Sequence, residues 1–153
     1  MPIKSTLLVF NEADLKTEPG AAKGITVKTL VGNKERPSER LCVNLPTIQS
    51  GTLEHLHWHL IEAFNYVISG RAVVRDIEGR SYEIGPGSVL YAPPGIAGSH
   101  EWEVKEQVQL ISPRATTDSE RSIQFTVDKN SKVSSIEFDY LVRRAGSRFK
   151  SFY

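Results

Sequence analysis

A single cysteine, Cys42, stands among the 153 residues, so the chain cannot close a disulfide on itself. It lies in the apolar run Leu41-Cys42-Val43, the setting of a small buried hydrophobe rather than an activated thiolate. No apolar stretch approaches the ~20 residues that a membrane-spanning helix needs. Neither sign of charge is in excess: 19 basic and 18 acidic residues leave a formal net charge of +1. No global field therefore gathers nucleic acid or an anionic membrane. Residues 1–10 hold one lysine and a short apolar run at 7–10, without the long hydrophobic region and small-residue cleavage site of a signal peptide. Helical periodicity is missing before residue 113, and no repeat or low-complexity tract is visible. These absences leave the expectation of one cytoplasmic domain over 1–153.

Histidine is also scarce, with four in the chain, and that scarcity makes their placement informative. Three of them alternate: His55, His57 and His59. Side chains alternate faces along a β-strand, so an extended segment points all three imidazoles the same way. Same-face neighbours lie roughly 6.5–7 Å apart, which lets two imidazoles converge on one ion between them. The fourth, His100, completes such a site only if the fold returns it.

Glycine and proline divide the rest into short pieces. Strands are expected at 5–10, at 25–31 (Ile25, Val27, Thr29 and Val31 share a face), and at 40–45, closed by Pro46. Further strands are expected at 52–59, at 63–69, ended by Gly70, and at 72–77. Glu78-Gly79-Arg80 reads as a hairpin turn. Strands at 81–84, 88–92, 99–104 and 107–111 follow. Residues 11–24 and 113–122 are polar and loop-like. Over 134–144, Ile136, Phe138, Tyr140 and Val142 alternate as in a strand, although Ser134-Ser135-Ile136-Glu137 also resembles a helix start; the strand is the preferred reading. Many short strands with regularly spaced turns imply an all-β antiparallel sandwich or barrel.

The punctuation around the histidines resembles the cupin signature. Its first part runs Gly51, five residues, His57-Trp58-His59, two residues, Glu62, seven residues, Gly70. The glutamate is displaced by one residue from the usual place, where Ala63 stands. The second part runs Gly87, five residues, Pro93-Pro94-Gly95, two residues, then Gly98 where the family has histidine. Trp102 stands in place of the asparagine, and His100 follows Gly98 by two. The resemblance implies a single cupin jelly-roll β-barrel with short flanking segments. Motif 1 is at 51–70, motif 2 at 87–102, and 113–153 forms a C-terminal extension packed on the barrel.

The resemblance also implies a metal site. His57 and His59 match the family's first two ligands. Glu62 is the displaced carboxylate and reaches the metal only through a bulge between His59 and Ala63. His100 is a shifted third histidine, as in the three-histidine gentisate-like and β-diketone-cleaving dioxygenases. His55 is either a third local ligand, a base behind the ligands or a surface residue, with the last two preferred. Trp102 and Gly98 line the substrate pocket, Gly98 by enlarging it, and Asn65, in phase with Ala63 and Val67, orients a substrate oxygen or bonds a barrel neighbour. One divalent ion is implied, Fe(II) favoured, with Ni, Mn, Zn or Cu suited to other geometries. The activity implied is dioxygenase cleavage of a small aromatic or enolisable carbonyl compound. Two alternatives stand beside it: an isomerase, lyase or decarboxylase using the metal as a Lewis acid, and a small-ligand-binding cupin without metal. A homodimer is the expected assembly.

Overall fold

Alternation of branched and polar residues over so much of the chain produces sheet. The computed structural model describes residues 3–115 and 124–136. Ten strands form among them: β1 (Glu18–Pro19), β2 (Ile25–Val31), β3 (Cys42–Ile48), β4 (Leu53–His59), β5 (Ala63–Asp76), β6 (Ser81–Ile84), β7 (Val89–Ala92), β8 (His100–Arg114), β9 (Gln124–Val127) and β10 (Ser134–Ser135). All join antiparallel in one curled sheet, and two single 3₁₀ turns, Glu12–Asp14 and Ile96–Gly98, are the described helical structure. The all-β barrel expectation is met. No helix among the described residues is long and apolar enough to cross a membrane.

β8 is the axis of the architecture. One edge pairs with β5, from Tyr66 opposite Ile111 to Asp76 opposite His100. The other edge is shared by β3, from Cys42 opposite Arg114 to Ile48 opposite Val108, and by β4, whose His57 stands opposite His100. The period of two sets the faces. Ala63, Asn65 and Val67 of β5 are buried while Phe64, Tyr66 and Ile68 are exposed. Trp102, Val104, Val108 and Leu110 of β8 meet Ile25, Ile48, Val67, Ala72 and Val74 in one core. Each fully buried Val, Leu or Ile among them contributes about 1.5–3 kcal/mol.

Several expected boundaries move. Gly70 does not end a strand: 63–69 and 72–77 are one strand, β5, with Gly70 at φ +85° inside an irregular step of the β5–β8 ladder. A Cβ at Gly70 would lie 2.0 Å from the Gln107 carbonyl oxygen, so close approach of the two backbones requires glycine. Likewise 99–104 and 107–111 merge into β8. β3 runs on through Pro46, whose missing N–H falls between the β8 pairs Asn44–Ser112 and Thr47–Gln109. Residues 5–10 form no strand, and Leu7 and Val9 are exposed. No strand among the described residues lies beside them to take their backbone hydrogen bonds. Of the expected 134–144 strand, Ser134 and Ser135 pair with Val127 and Thr126 of β9, and residues 137–144 lie outside the described residues.

Candidate metal centre

β4 and the start of β8 build the site. Along β4 the alternation brings His57 and His59 to one face, and the antiparallel pairing with β8 sets His100 directly opposite His57. The ring centroids of His57 and His100 are 4.5 Å apart, those of His57 and His59 5.1 Å, and those of His59 and His100 5.9 Å. One ring nitrogen from each lies within 4.8 Å of the others. These three histidines are thus positioned to hold a metal ion, as the shifted-histidine expectation required.

Two of the rings have their tautomer set by the backbone. The Nδ1–H of His57 donates to the His55 carbonyl at 2.7 Å, and that of His100 donates to the Gly98 carbonyl at 2.9 Å. A carbonyl only accepts, so the proton is on Nδ1 and the lone pair on Nε2. Burial then keeps both rings neutral. Desolvation, against the raising effect of its own carbonyl bond, holds His57 down to about 4. Desolvation and the neighbouring His57 hold His100 down to about 3. Buried, neutral imidazoles with Nε2 bare are the donor set that a divalent first-row ion takes.

The same depression makes the metal-free protein sensitive to acid. Unfolded, these histidines take up protons near 6.5; folded, they resist down to about 4 and about 3. Between those limits the unfolded chain binds more protons, so stability is complete above pH 6.5 and falls as the pH drops. The slope reaches about 1.4 kcal/mol per pH unit for each histidine. Urea unfolding of the metal-free protein should therefore show a clear loss between pH 7 and pH 5. A flat profile over that interval would mean that both rings are solvated.

The histidines open into a cavity of about 790 Å³, a size that suits a small organic ligand. Asn65, 6% exposed, faces into it from β5, and Trp102 forms part of its wall from β8. The other sequence candidates lie elsewhere. His55 is exposed and contributes its backbone carbonyl rather than its ring. Glu62, in the connection after β4, is exposed and accepts from the Tyr91 hydroxyl at 2.7 Å, apart from the histidine group. Gly98 does not line the cavity or lie on a strand. It sits buried in the turn Ile96–Gly98, where a Cβ would lie 2.0 Å from the Pro93 carbonyl oxygen. Glycine at 98 is thus demanded by that close approach and adds no room for substrate.

Three residues that sequence reasoning passed over share the cavity: Glu54, Arg114 and Gln124. Glu54 lies three residues before His57, which by strict alternation is the opposite face. The ladder to β8 pairs Glu54 with Trp102 but His57 with His100, so two residues of β4 oppose one of β8. This bulge turns Glu54 to the histidine side. Arg114, at the far end of β8, bonds the Phe64 and Pro113 carbonyls, and its charge helps depress His57 and His100. No local sequence signal marks either placement. Trp58, between the two β4 histidines, faces away, stacking on Phe125 at 4.3 Å and donating to Ser134 Oγ.

Residues 44–112 match the Cupin_2 family model, described as a cupin domain. No curated protein matches the chain. Among solved structures, the polyketide cyclase RemF from Streptomyces resistomycificus is similar at 20% identity and a TM-score of 0.63, over 71% of this chain and 79% of that one. KdgF from Halomonas sp. is similar at 19% identity and a TM-score of 0.61, over 75% and 99%. A variant of oxalate decarboxylase OxdC from Bacillus subtilis is similar at 26% identity and a TM-score of 0.59, over 80% of this chain but 33% of that one. The likeness to RemF and KdgF is one of fold.

Proposed function

With a cupin domain at residues 44–112 and three histidines gathered on its inner face, we propose that the protein is a metal-dependent enzyme. It acts on a small enolisable or aromatic carbonyl compound and cleaves it with dioxygen, Fe(II) being the favoured ion. The observation that carries this reading is the set of buried histidines, two of them held as the Nδ1–H tautomer, opening into a cavity of about 790 Å³. A bound ion would supply Lewis acidity toward substrate oxygens and, as Fe(II), the redox chemistry that dioxygen requires.

The chain's own residues do the rest. His57, His59 and His100 would hold the ion with neutral donors, which would leave its charge undiminished. Trp102 walls the cavity and excludes water from one side. Asn65 is placed to orient a substrate oxygen. Arg114 puts a fixed positive charge on the same cavity, suited to an enolate or carboxylate oxygen. That cation also favours a second reading, in which a charged substrate rearranges, eliminates or loses carbon dioxide with the ion as Lewis acid alone.

Oxygen uptake separates the readings. The untagged protein, loaded with Fe(II) without air, is offered β-diketones and catechols in air-saturated buffer. Uptake of dioxygen in step with substrate loss is the expected result. Substrate loss without oxygen uptake supports the Lewis-acid reading. A protein that takes up no Fe(II), Mn(II), Ni(II), Cu(II) or Zn(II) overturns both and leaves a ligand-binding cupin.

A further inference from the structure

A row of neutral polar side chains crosses the cavity wall from strand to strand. Thr29 of β2 stands opposite Asn44 of β3, and Asn44 opposite Ser112 of β8. Tyr66 of β5 stands opposite Ile111, which brings Asn65, one residue earlier, beside Ser112, one residue later. All four side chains line the cavity into which the histidines open. Thr29 and Asn44 are satisfied locally: the Thr29 hydroxyl donates to Asn44 Oδ1 at 3.0 Å, and the Asn44 amide donates to Cys42 Sγ at 3.7 Å. Asn65 and Ser112 are not. Each is 6% exposed, yet among the described residues neither the Asn65 amide nor the Ser112 hydroxyl has a hydrogen-bond partner. Their polar atoms are open to the cavity rather than sealed in the core. Buried polar groups of a folded chain are ordinarily paired, so two neighbouring exceptions on one cavity wall point to a partner that enters the cavity.

We propose that Asn65 and Ser112 together form a specificity subsite that takes a neutral hydroxyl group of the substrate. The inference rests on the reading of the cavity as a substrate site and names a second functional group that the substrate carries. An amide and a hydroxyl each donate and accept, so the pair can donate to a hydroxyl oxygen and accept its proton, whereas a carboxylate only accepts. The row is uncharged. Arg114, two residues beyond Ser112 on the same face, has its Nη1 engaged by the Phe64 and Pro113 carbonyls. Along β8 the residues lining the cavity run His100, Trp102, Leu110, Ser112, so apolar side chains separate the histidine end from the hydroxyl of Ser112. The substrate that fits has carbonyl or enol oxygens at one end, an apolar middle and a hydroxyl at the other. A site built around such a hydrogen bond discriminates against the analogue without the hydroxyl, because the site's own polar groups would then be buried unpaired.

Benzoylacetone and its hydroxyphenyl and carboxyphenyl analogues, substituted in turn at each ring position, are the probes. They are titrated calorimetrically, without air, into the Fe(II)-loaded wild type, Ser112→Ala and Asn65→Leu. At least one hydroxyphenyl isomer is expected to bind the wild type about 10-fold more tightly than benzoylacetone. Each variant should lose that gain while binding benzoylacetone as the wild type does. A gain kept by either variant, a gain for carboxyphenyl analogues alone, or no gain for any isomer would overturn the inference and leave the carbonyl-binding reading standing. A wild type that binds none of the probes overturns that reading itself. Thermal unfolding of the metal-free proteins tests a purely structural role. With no internal partner to lose, both variants should melt at or above the wild-type temperature. A fall of more than about 3 °C in either, the shift expected for one lost internal hydrogen bond in a chain of this size, would also overturn the inference.

Discussion

His57→Ala is expected to strip the protein of bound divalent metal, lowering affinity by about 100-fold or more. His57 is the hub of the group: its ring is within 5.1 Å of His59 and 4.5 Å of His100, and its Nε2 faces Glu54. Its removal leaves two imidazoles, those of His59 and His100, where three were gathered. His55→Ala, two residues earlier, should keep the metal, because the part of His55 that serves the site is its carbonyl, which alanine retains. Elemental analysis after dialysis, followed by calorimetry, measures both variants. Retention of one equivalent by His57→Ala would show that the ion, if any, binds elsewhere.

Placing at position 98 the histidine that the cupin signature carries is expected to damage the protein rather than improve its capacity for metal. A Cβ there would lie 2.0 Å from the Pro93 carbonyl oxygen and 3.1 Å from its carbon, both backbone atoms that cannot swing aside. Gly98 also donates its N–H to the Gly95 carbonyl, closing the turn that delivers the chain to His100. Gly98→His must open that turn, at a cost of about 3 kcal/mol, and in doing so displaces His100 and the carbonyl that holds its Nδ1. Thermal unfolding and metal content should both fall. Gly98→Ala, which adds the Cβ alone, should lose stability with little gain of donor capacity. A folded Gly98→His variant with tighter metal binding would refute this account.

What could be read from the chain beforehand follows a physical rule. β2 was legible because Ile25, Val27, Thr29 and Val31, all but one of them apolar, share one face, and so was the pairing of His57 with His59, which depends on nothing but the period of a strand. His100 became legible through the glycine and proline framework around it, which fixes where the next strand begins. The rest depends on events between strands. The β4 bulge that turns Glu54 inward has no glycine to announce it and appears only in the register against β8. Gly70 reads locally as a terminator, yet its role is set by the Gln107 backbone across the ladder. Gly98 reads locally as added space, yet the Pro93 carbonyl already fills that space. Arg114 lies at the far end of a strand whose length was not visible while its two halves looked separate.

The direct opposition of His57 and His100 across β4 and β8 also bears on how the chain acquires its native state. The two residues are far apart along the backbone, so closing that pair is a late, entropically costly contact in a topology rich in non-local pairing. Before it forms, only the β4 histidines are neighbours, and an ion meets two donors at most. Afterwards it meets the whole set. An ion that prefers the closed arrangement therefore slows unfolding and raises the melting temperature in proportion to the logarithm of its concentration, acting as a clasp on a strand pair that joins distant parts of the chain.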